Sequence, residues 1–233
     1  VRHLGGRFGG VVAALLLFLQ PRAFFHAQTA SFDLAAAALW FATTCAYLRA
    51  IRLDTKSSAL FFAVLFGFFL STKLQSFFLP VALLLHWSVL TAVRARRGLG
   101  ASEGDSAPVY DRRTPPLRPF LFFLVVSPIV FFLSWPRLWH EPFSRFSAYL
   151  QFHLNHVHYN FEYLGQNYNH APYPWHEPLG MLLFTAPTML LVLALSGGAW
   201  FLVERWSGRR REGDVAFAPG LLILFTGLIP IGI

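Results

Sequence analysis

The sequence predicts an all-α fold, a polytopic transmembrane helical bundle of about six to seven membrane segments with one large outer loop. Three observations carry that expectation. Hydrophobic residues make up 55% of the 233 residues and charged residues only 13%. A soluble domain of this size needs more charge to cover the surface that meets water. The apolar residues come in long runs, with a mean hydropathy of +0.50, which points to lipid as the solvent. The basic residues gather in short clusters at the ends of those runs, where membrane insertion places them.

The same clustering answers the net charge of +8. Such a charge also suits a nucleic-acid binder, but residues placed at run ends serve topology, so no nucleic-acid partner is expected. Phe is the commonest aromatic, at 26 residues; it is tolerated against lipid and fills gaps between helices. The one cysteine, Cys45, lies inside an apolar run and reads as a packing residue rather than a nucleophile. A single cysteine makes no disulfide framework.

The apolar runs cover residues 8–20, 34–48, 58–70, 75–93, 118–134, 179–203 and 217–233. Arg2 and Arg7 precede the first, which resembles a signal core, but Gln20-Pro21-Arg22 follows without a small-x-small cleavage pattern. Several runs are shorter than the ~20 residues a perpendicular helix needs. Only Ser71-Thr72-Lys73-Leu74 separates 58–70 from 75–93, so this stretch makes two thin crossings or a re-entrant hairpin. The chain opens at Val1 and stops at Ile233 within a fresh apolar run, and is expected to be a fragment of a longer protein: one partial transmembrane domain over 1–233.

Charge sets the expected orientation. Residues 94–118 hold Gly98, Gly100, Ser102, Glu103, Asp105, Ser106 and Pro108 and read as a flexible cytoplasmic linker. With the N-terminus, 49–57, 94–118 and 204–216 on one side, that side holds all of the 19 Lys and Arg residues except Arg22, Lys73, Arg137 and Arg145. It is therefore assigned to the cytoplasm. The outer loop, residues 135–178, then collects Trp135, Trp139, Trp175, Tyr149, Tyr163, Tyr173 and most of the histidines. Part of that is the ordinary interfacial belt; the rest suits stacking on a sugar or lipid headgroup.

Ionisable residues at the membrane edge are costly to keep there and so point to function. Asp33 closes the first outer segment and enters the helix expected from Leu34. It reads as a helix cap that complements the dipole, or as a site carboxylate that also caps. Lys73 either snorkels to the interface or supplies a cation to a phosphate at membrane depth. Arg22 and His26 form a second outer group. His153-x-x-His156-x-His158 is a weak zinc pattern, since a helix would unite His153 with His156 and send His158 elsewhere. No metal ligand and no cofactor are assigned, with a divalent metal left open. Tyr173-Pro174-Trp175-His176-Glu177-Pro178 is an extended lead-in to the next run, whose Trp175 and His176 either anchor the interface or touch an acceptor.

The order Pro21-Arg22…His26-Ala27…Asp33, then a helix, then a short-helix pair broken at Thr72-Lys73, resembles the GT-C membrane glycosyltransferases. The closest likeness is to glycosyltransferase family 39, which includes the protein O-mannosyltransferases and the lipid A aminoarabinose transferase. Trp135-Pro136-Arg137-Leu138-Trp139-His140 and Tyr163-Leu164-Gly165…Pro172-Tyr173-Pro174-Trp175-His176 resemble outer-loop sequence of bacterial members. The likeness covers most of residues 20–200 and rests on joint order rather than on any one motif. It implies an enzyme that takes a sugar from a polyprenyl-phosphate donor at the outer membrane face and passes it to a protein, lipid or glycan acceptor with inversion. The resemblance makes Asp33 the catalytic carboxylate carried over and Lys73 the phosphate partner. Arg22, His26, His153, His156, Trp175 and His176 are the further candidates for donor or substrate binding. The family's principal catalytic acid lies in a loop after its first span, which no stretch here matches, so that acid is expected upstream. Two other readings compete. A transporter would need charged or unwound sites at mid-membrane, often in repeats; the apolar runs lack central acids and no repeat is seen. A non-catalytic membrane scaffold or assembly subunit is the third.

Overall fold

A computed structural model describes residues 2–29, 32–96, 115–155, 160–169 and 172–206, together with Leu222 and Thr226. Helix α1 (Arg2–Phe18) is kinked at Gly6 and followed by α2 (Pro21–Gln28), α3 (Phe32–Leu53) and α4 (Lys56–Leu70). A 3-10 turn, Leu74–Phe78, runs into α5 (Leu79–Arg96). Then come α6 (Arg118–Ser134), a short 3-10 turn at Pro136–Leu138, and α7 (Pro142–Leu154). An antiparallel hairpin of β1 (Phe161–Tyr163) and β2 (Gln166–Tyr168) precedes α8 (Glu177–Thr185) and α9 (Thr188–Trp206). The chain is largely helical as expected; the hairpin within the 135–178 segment is an addition.

The expected number of spans is not met. Among the described residues two helices are long and apolar enough to cross a membrane: Phe32–Leu53, of 22 residues, and Leu74–Ala92, of 19. The count rises to three if α8 and α9, bent by 115° at their junction, act as one broken span. Length is the reason, because a ~30 Å hydrocarbon layer needs about 20 helical residues. Helix α4 has 15 residues and α6 has 17. The first run contributes only the short apolar helix Gly6–Leu16. Run 179–203 is split at Ala186-Pro187: Pro lacks an amide hydrogen and forces its predecessor out of the helical region, and Ala186 is extended (φ −77°, ψ 139°). Run 217–233 lies outside the described residues except for Leu222 and Thr226, and so does most of the 94–118 linker. The two long helices give the chain the character of a membrane-associated protein.

The core forms where α3, α4, α5 and α6 meet. Tyr47, Phe62, Phe66, Phe69, Leu79 and Leu83 are fully buried there, with Leu222 against them. Aromatic rings fill the space in edge-to-face pairs, as their quadrupoles favour: Phe66 meets Phe123 at 4.8 Å and Trp40 meets Phe69 at 5.9 Å. Helices α4 and α6 lie close because α4 presents Ala59, Ala63 and Gly67, small residues four apart on one face. A β-carbon on Gly67 would stand 2.5 Å from Val130 Cβ and 2.9 Å from the Ser127 carbonyl oxygen. Ser127 Oγ donates to the Ala63 carbonyl at 2.8 Å across the same seam. Outward positions stay apolar, among them Leu84, Leu85, Leu121, Leu124, Val125 and Leu133, as a lipid-facing surface requires.

Helix α3 carries an ion pair at each end. Its 22 residues span about 33 Å, close to the hydrocarbon thickness. Asp33 in its first turn pairs with Lys73. Asp54, one residue past its last turn, takes a left-handed φ of 48°, a conformation Asp tolerates better than most residues. There the Arg118 guanidinium donates to the Asp54 carbonyl and stands 3.1 Å from its carboxylate. The pair is partly solvated, which limits its worth. Arg118→Gln is expected to cost about 1 kcal/mol, or a fall of about 2–4 °C in melting temperature for a chain of this size, read by thermal unfolding in detergent. An unchanged transition would show that α6 is held without it.

Candidate functional site

The site is built where α4 stops. Its last carbonyls lack helical partners, and two small hydroxyl residues bond two of them. Ser71 Oγ donates to the Phe68 carbonyl and Thr72 Oγ1 to that of Phe69, both at 2.7 Å. Ser76 Oγ then donates to the Lys73 carbonyl at 2.7 Å, which closes the 3-10 turn. Lys73 itself is extended (φ −157°, ψ 149°), so its side chain leaves the turn and reaches the start of α3.

There Lys73 Nζ donates to Asp33 Oδ1, a contact between residues 40 apart in sequence. The ammonium also lies 5.6 Å from the centroid of the Phe32 ring, within cation–π range. The carboxylate sits in the first turn of α3, where the helix dipole favours negative charge. Helix α3 begins at Phe32, two residues before the expected start, so Asp33 lies inside the first turn rather than before it; Ser31 lies outside the described residues. The Asp33 side chain is 52% exposed and that of Lys73 31%. The pair therefore stands at the end of the bundle, open to a ligand, and outside the core.

The other candidates fall in separate surroundings. His26 lies in the last turn of α2 with its ring edge-on to Phe25 at 5.5 Å. His153 ends an aromatic ladder: Phe77 meets Phe131 at 6.1 Å, Phe131 meets Trp135 at 5.4 Å, Trp135 meets Tyr149 at 4.9 Å, and Tyr149 meets His153 at 4.5 Å. Since Phe77 belongs to the turn that follows Lys73, the ladder ties α7 to the Lys73 end of the bundle. Burial pushes the Tyr149 phenol above its ordinary pKa, because an apolar setting disfavours the phenolate. Trp175 is exposed and meets the His176 ring at 5.5 Å. The side chain of Arg22 and the whole of His156 lie outside the described residues, as does His158. Among the described residues no group of three or more His, Cys, Asp or Glu has metal-binding spacing.

Two features escaped the sequence reading. The first is the packing of Tyr163, expected only as a loop aromatic within the segment that resembles outer-loop sequence. Tyr163 is buried, its hydroxyl lies 3.0 Å from His176 Nδ1, and it covers Gly180 of α8. A β-carbon on Gly180 would lie 2.1 Å from the Tyr163 hydroxyl oxygen. The hairpin turn places both Leu164 and Gly165 at positive φ, 51° and 77°, as a primed two-residue turn requires. Gly165 was the available signal for that turn. Gly180→Ala is expected to eject the Tyr163 phenol at a cost of about 1–3 kcal/mol. Faster proteolysis within residues 160–176 would report it, and an unchanged cleavage rate would refute the packing. The second is the fully buried Tyr47–His86 contact: the Tyr47 hydroxyl donates to the Leu83 carbonyl at 3.1 Å and meets His86 Nδ1 at 3.1 Å. An imidazole within an apolar run was the signal.

Compared with known proteins, the chain matches no family model, no curated protein and no solved structure.

Proposed function

We propose that the chain carries part of the site of a membrane glycosyltransferase that moves a sugar from a polyprenyl-phosphate donor to a protein, lipid or glycan acceptor. The observation that carries this reading is the Asp33–Lys73 pair at the end of a membrane-length helix. Those are the two residues that the resemblance to glycosyltransferase family 39 makes carboxylate and phosphate partner. The exposed Trp175 and the Trp135–Tyr149–His153 ladder add rings suited to stacking on a sugar. The charge bias of the sequence supports an orientation with this end of the bundle away from the cytoplasm, where a polyprenyl-linked donor presents its headgroup.

The chemistry divides between the two groups. The bond from the sugar's anomeric carbon to the phosphate oxygen breaks as the acceptor oxygen attacks from the opposite face. The acceptor's proton passes to a carboxylate and the polyprenyl phosphate leaves as an anion. An ammonium holds three donors, so Lys73 can serve Asp33 and a phosphate oxygen together and stabilise charge as it develops on the leaving group. Asp33 orients that ammonium and offers a carboxylate at the same place.

The test is donor turnover. The native protein in proteoliposomes, given a membrane extract as the source of protein, lipid and glycan acceptors and supplied with undecaprenyl-phosphate mannose and undecaprenyl-phosphate aminoarabinose in turn, is expected to release undecaprenyl phosphate from one of them. Failure to consume any polyprenyl-phosphate sugar, with the protein folded, would remove this reading and leave the scaffold in its place.

A further inference from the structure

Helix α7 has three sides, and only one of them has partners in the fold. At about 100° per residue, Phe146, Tyr149 and His153 share one side, and this side meets the bundle: Phe146 lies 6.4 Å from Phe77 and 6.2 Å from Phe131, and Tyr149 packs on Trp135. Ser144, Arg145, Ala148 and Gln151 occupy the broad polar side, and all are exposed. Between these sides runs a stripe of Phe143, Leu150 and Leu154, which fall within roughly 40° of arc. They are 90%, 37% and 83% exposed. Phe152 departs from the pattern, on the polar side with its ring 5.3 Å from that of His153.

We infer that α7 lies flat in the membrane interface at the Lys73 end of the bundle, with Phe143, Leu150 and Leu154 sunk into the boundary between headgroups and acyl chains. Three features choose lipid as the occupant. The stripe adjoins the bundle-facing side of α7, and α6, the helix before it, also turns apolar residues outward, with Leu124, Val125, Ile129 and Leu133 exposed. The link between the two helices is only the 3-10 turn at Pro136–Leu138 and its flanks, which holds α7 at the depth where α6 ends. Trp139, exposed and with its indole N–H donating to the Phe132 carbonyl at 3.0 Å, marks that depth as interfacial aromatics do. An apolar stripe opposite a polar side that includes Arg145 is the pattern of a helix lying in the interface plane. This inference rests on the membrane character of the chain and is independent of sugar transfer.

The test uses the native protein in nanodiscs of phosphatidylethanolamine and phosphatidylglycerol. In a Cys45→Ser background, spin labels are attached at Phe143→Cys, Leu150→Cys and Leu154→Cys, with Ser144→Cys and Ala148→Cys as controls. The three stripe labels are expected to meet oxygen several-fold more often than a water-soluble nickel chelate, and the controls the reverse. Stripe labels as open to nickel as the controls would put the stripe in water. Labels shielded from both reagents would mean that a second copy or another protein covers it. Either result overturns the inference. The unmodified protein provides a second reading: a diazirine-bearing phospholipid should mark Phe143, Leu150 and Leu154, and adducts absent from α7 but present on α6 would also overturn it.

Discussion

Replacing Asp33 by Asn is expected to lower sugar transfer by ~100-fold or more while leaving expression and melting temperature nearly unchanged. The magnitudes separate chemistry from folding. The pair is half exposed on the Asp33 side, and such ion pairs contribute at most about 1 kcal/mol to stability. A 100-fold loss of rate corresponds to about 2.7 kcal/mol, more than the lost ion pair can supply through unfolding. Lys73→Met should act differently. On the proposed function it removes the cation from the leaving phosphate, so kcat should fall and donor KM rise together. The charge-exchanged double variant, Asp33→Lys with Lys73→Asp, decides between a structural and a chemical role. It keeps an ion pair between α3 and the turn but reverses the field at the site. Restored transfer in that variant would reduce the pair to a structural tie and sink the assigned roles.

The largest expected effect on stability comes from Gly67→Leu. The β-carbon alone would stand 2.5 Å from Val130 Cβ, 2.8 Å from its Cγ1 and 2.9 Å from the Ser127 carbonyl oxygen. Two of these contacts are with a side chain, but the third is backbone, so α4 and α6 must separate. Overpacking of this kind costs about 1–3 kcal/mol. Separation also breaks the 2.8 Å bond from Ser127 to the Ala63 carbonyl, worth about 1 kcal/mol more. At about 2–4 °C per kcal/mol, the melting temperature in detergent should fall well clear of the wild-type value. Val130→Ala in the same chain should recover only a small part of the loss, since it removes the Cγ1 contact and leaves both the β-carbon of residue 130 and the carbonyl in place. A wild-type transition in Gly67→Leu would mean that the helices do not cross there.

Much of the fold's character was legible before any tertiary contact was known, because it depends on sums. Composition and run length report the solvent, and the two helices long enough to cross, Phe32–Leu53 and Leu74–Ala92, fall on the apolar runs 34–48 and 75–93. The number of spans was not legible, because it depends on where helices break. Pro187 interrupts a run whose hydropathy continues through it, and hydropathy does not register a missing amide hydrogen. The site divides in the same way. Asp33 and Lys73 stood out singly, since charge at the edge of an apolar run is rare. Gly67 and Gly180 did not, because a glycine chosen for close approach looks like any other until its neighbour is known.

The sequence by itself determined that this chain is made for lipid, that its basic residues crowd the ends of apolar runs, and that Asp33 and Lys73 are charges worth explaining. These are properties of single residues and of local averages. Only the tertiary structure decided that the Lys73 ammonium donates to the Asp33 carboxylate across 40 residues, that Tyr163 closes over Gly180, and that α7 turns a third, apolar face outward. Each of these depends on where one helix stops and on which neighbour its end meets. That is set by the packing of α3, α4 and α6 around one core, which no local pattern in the sequence records.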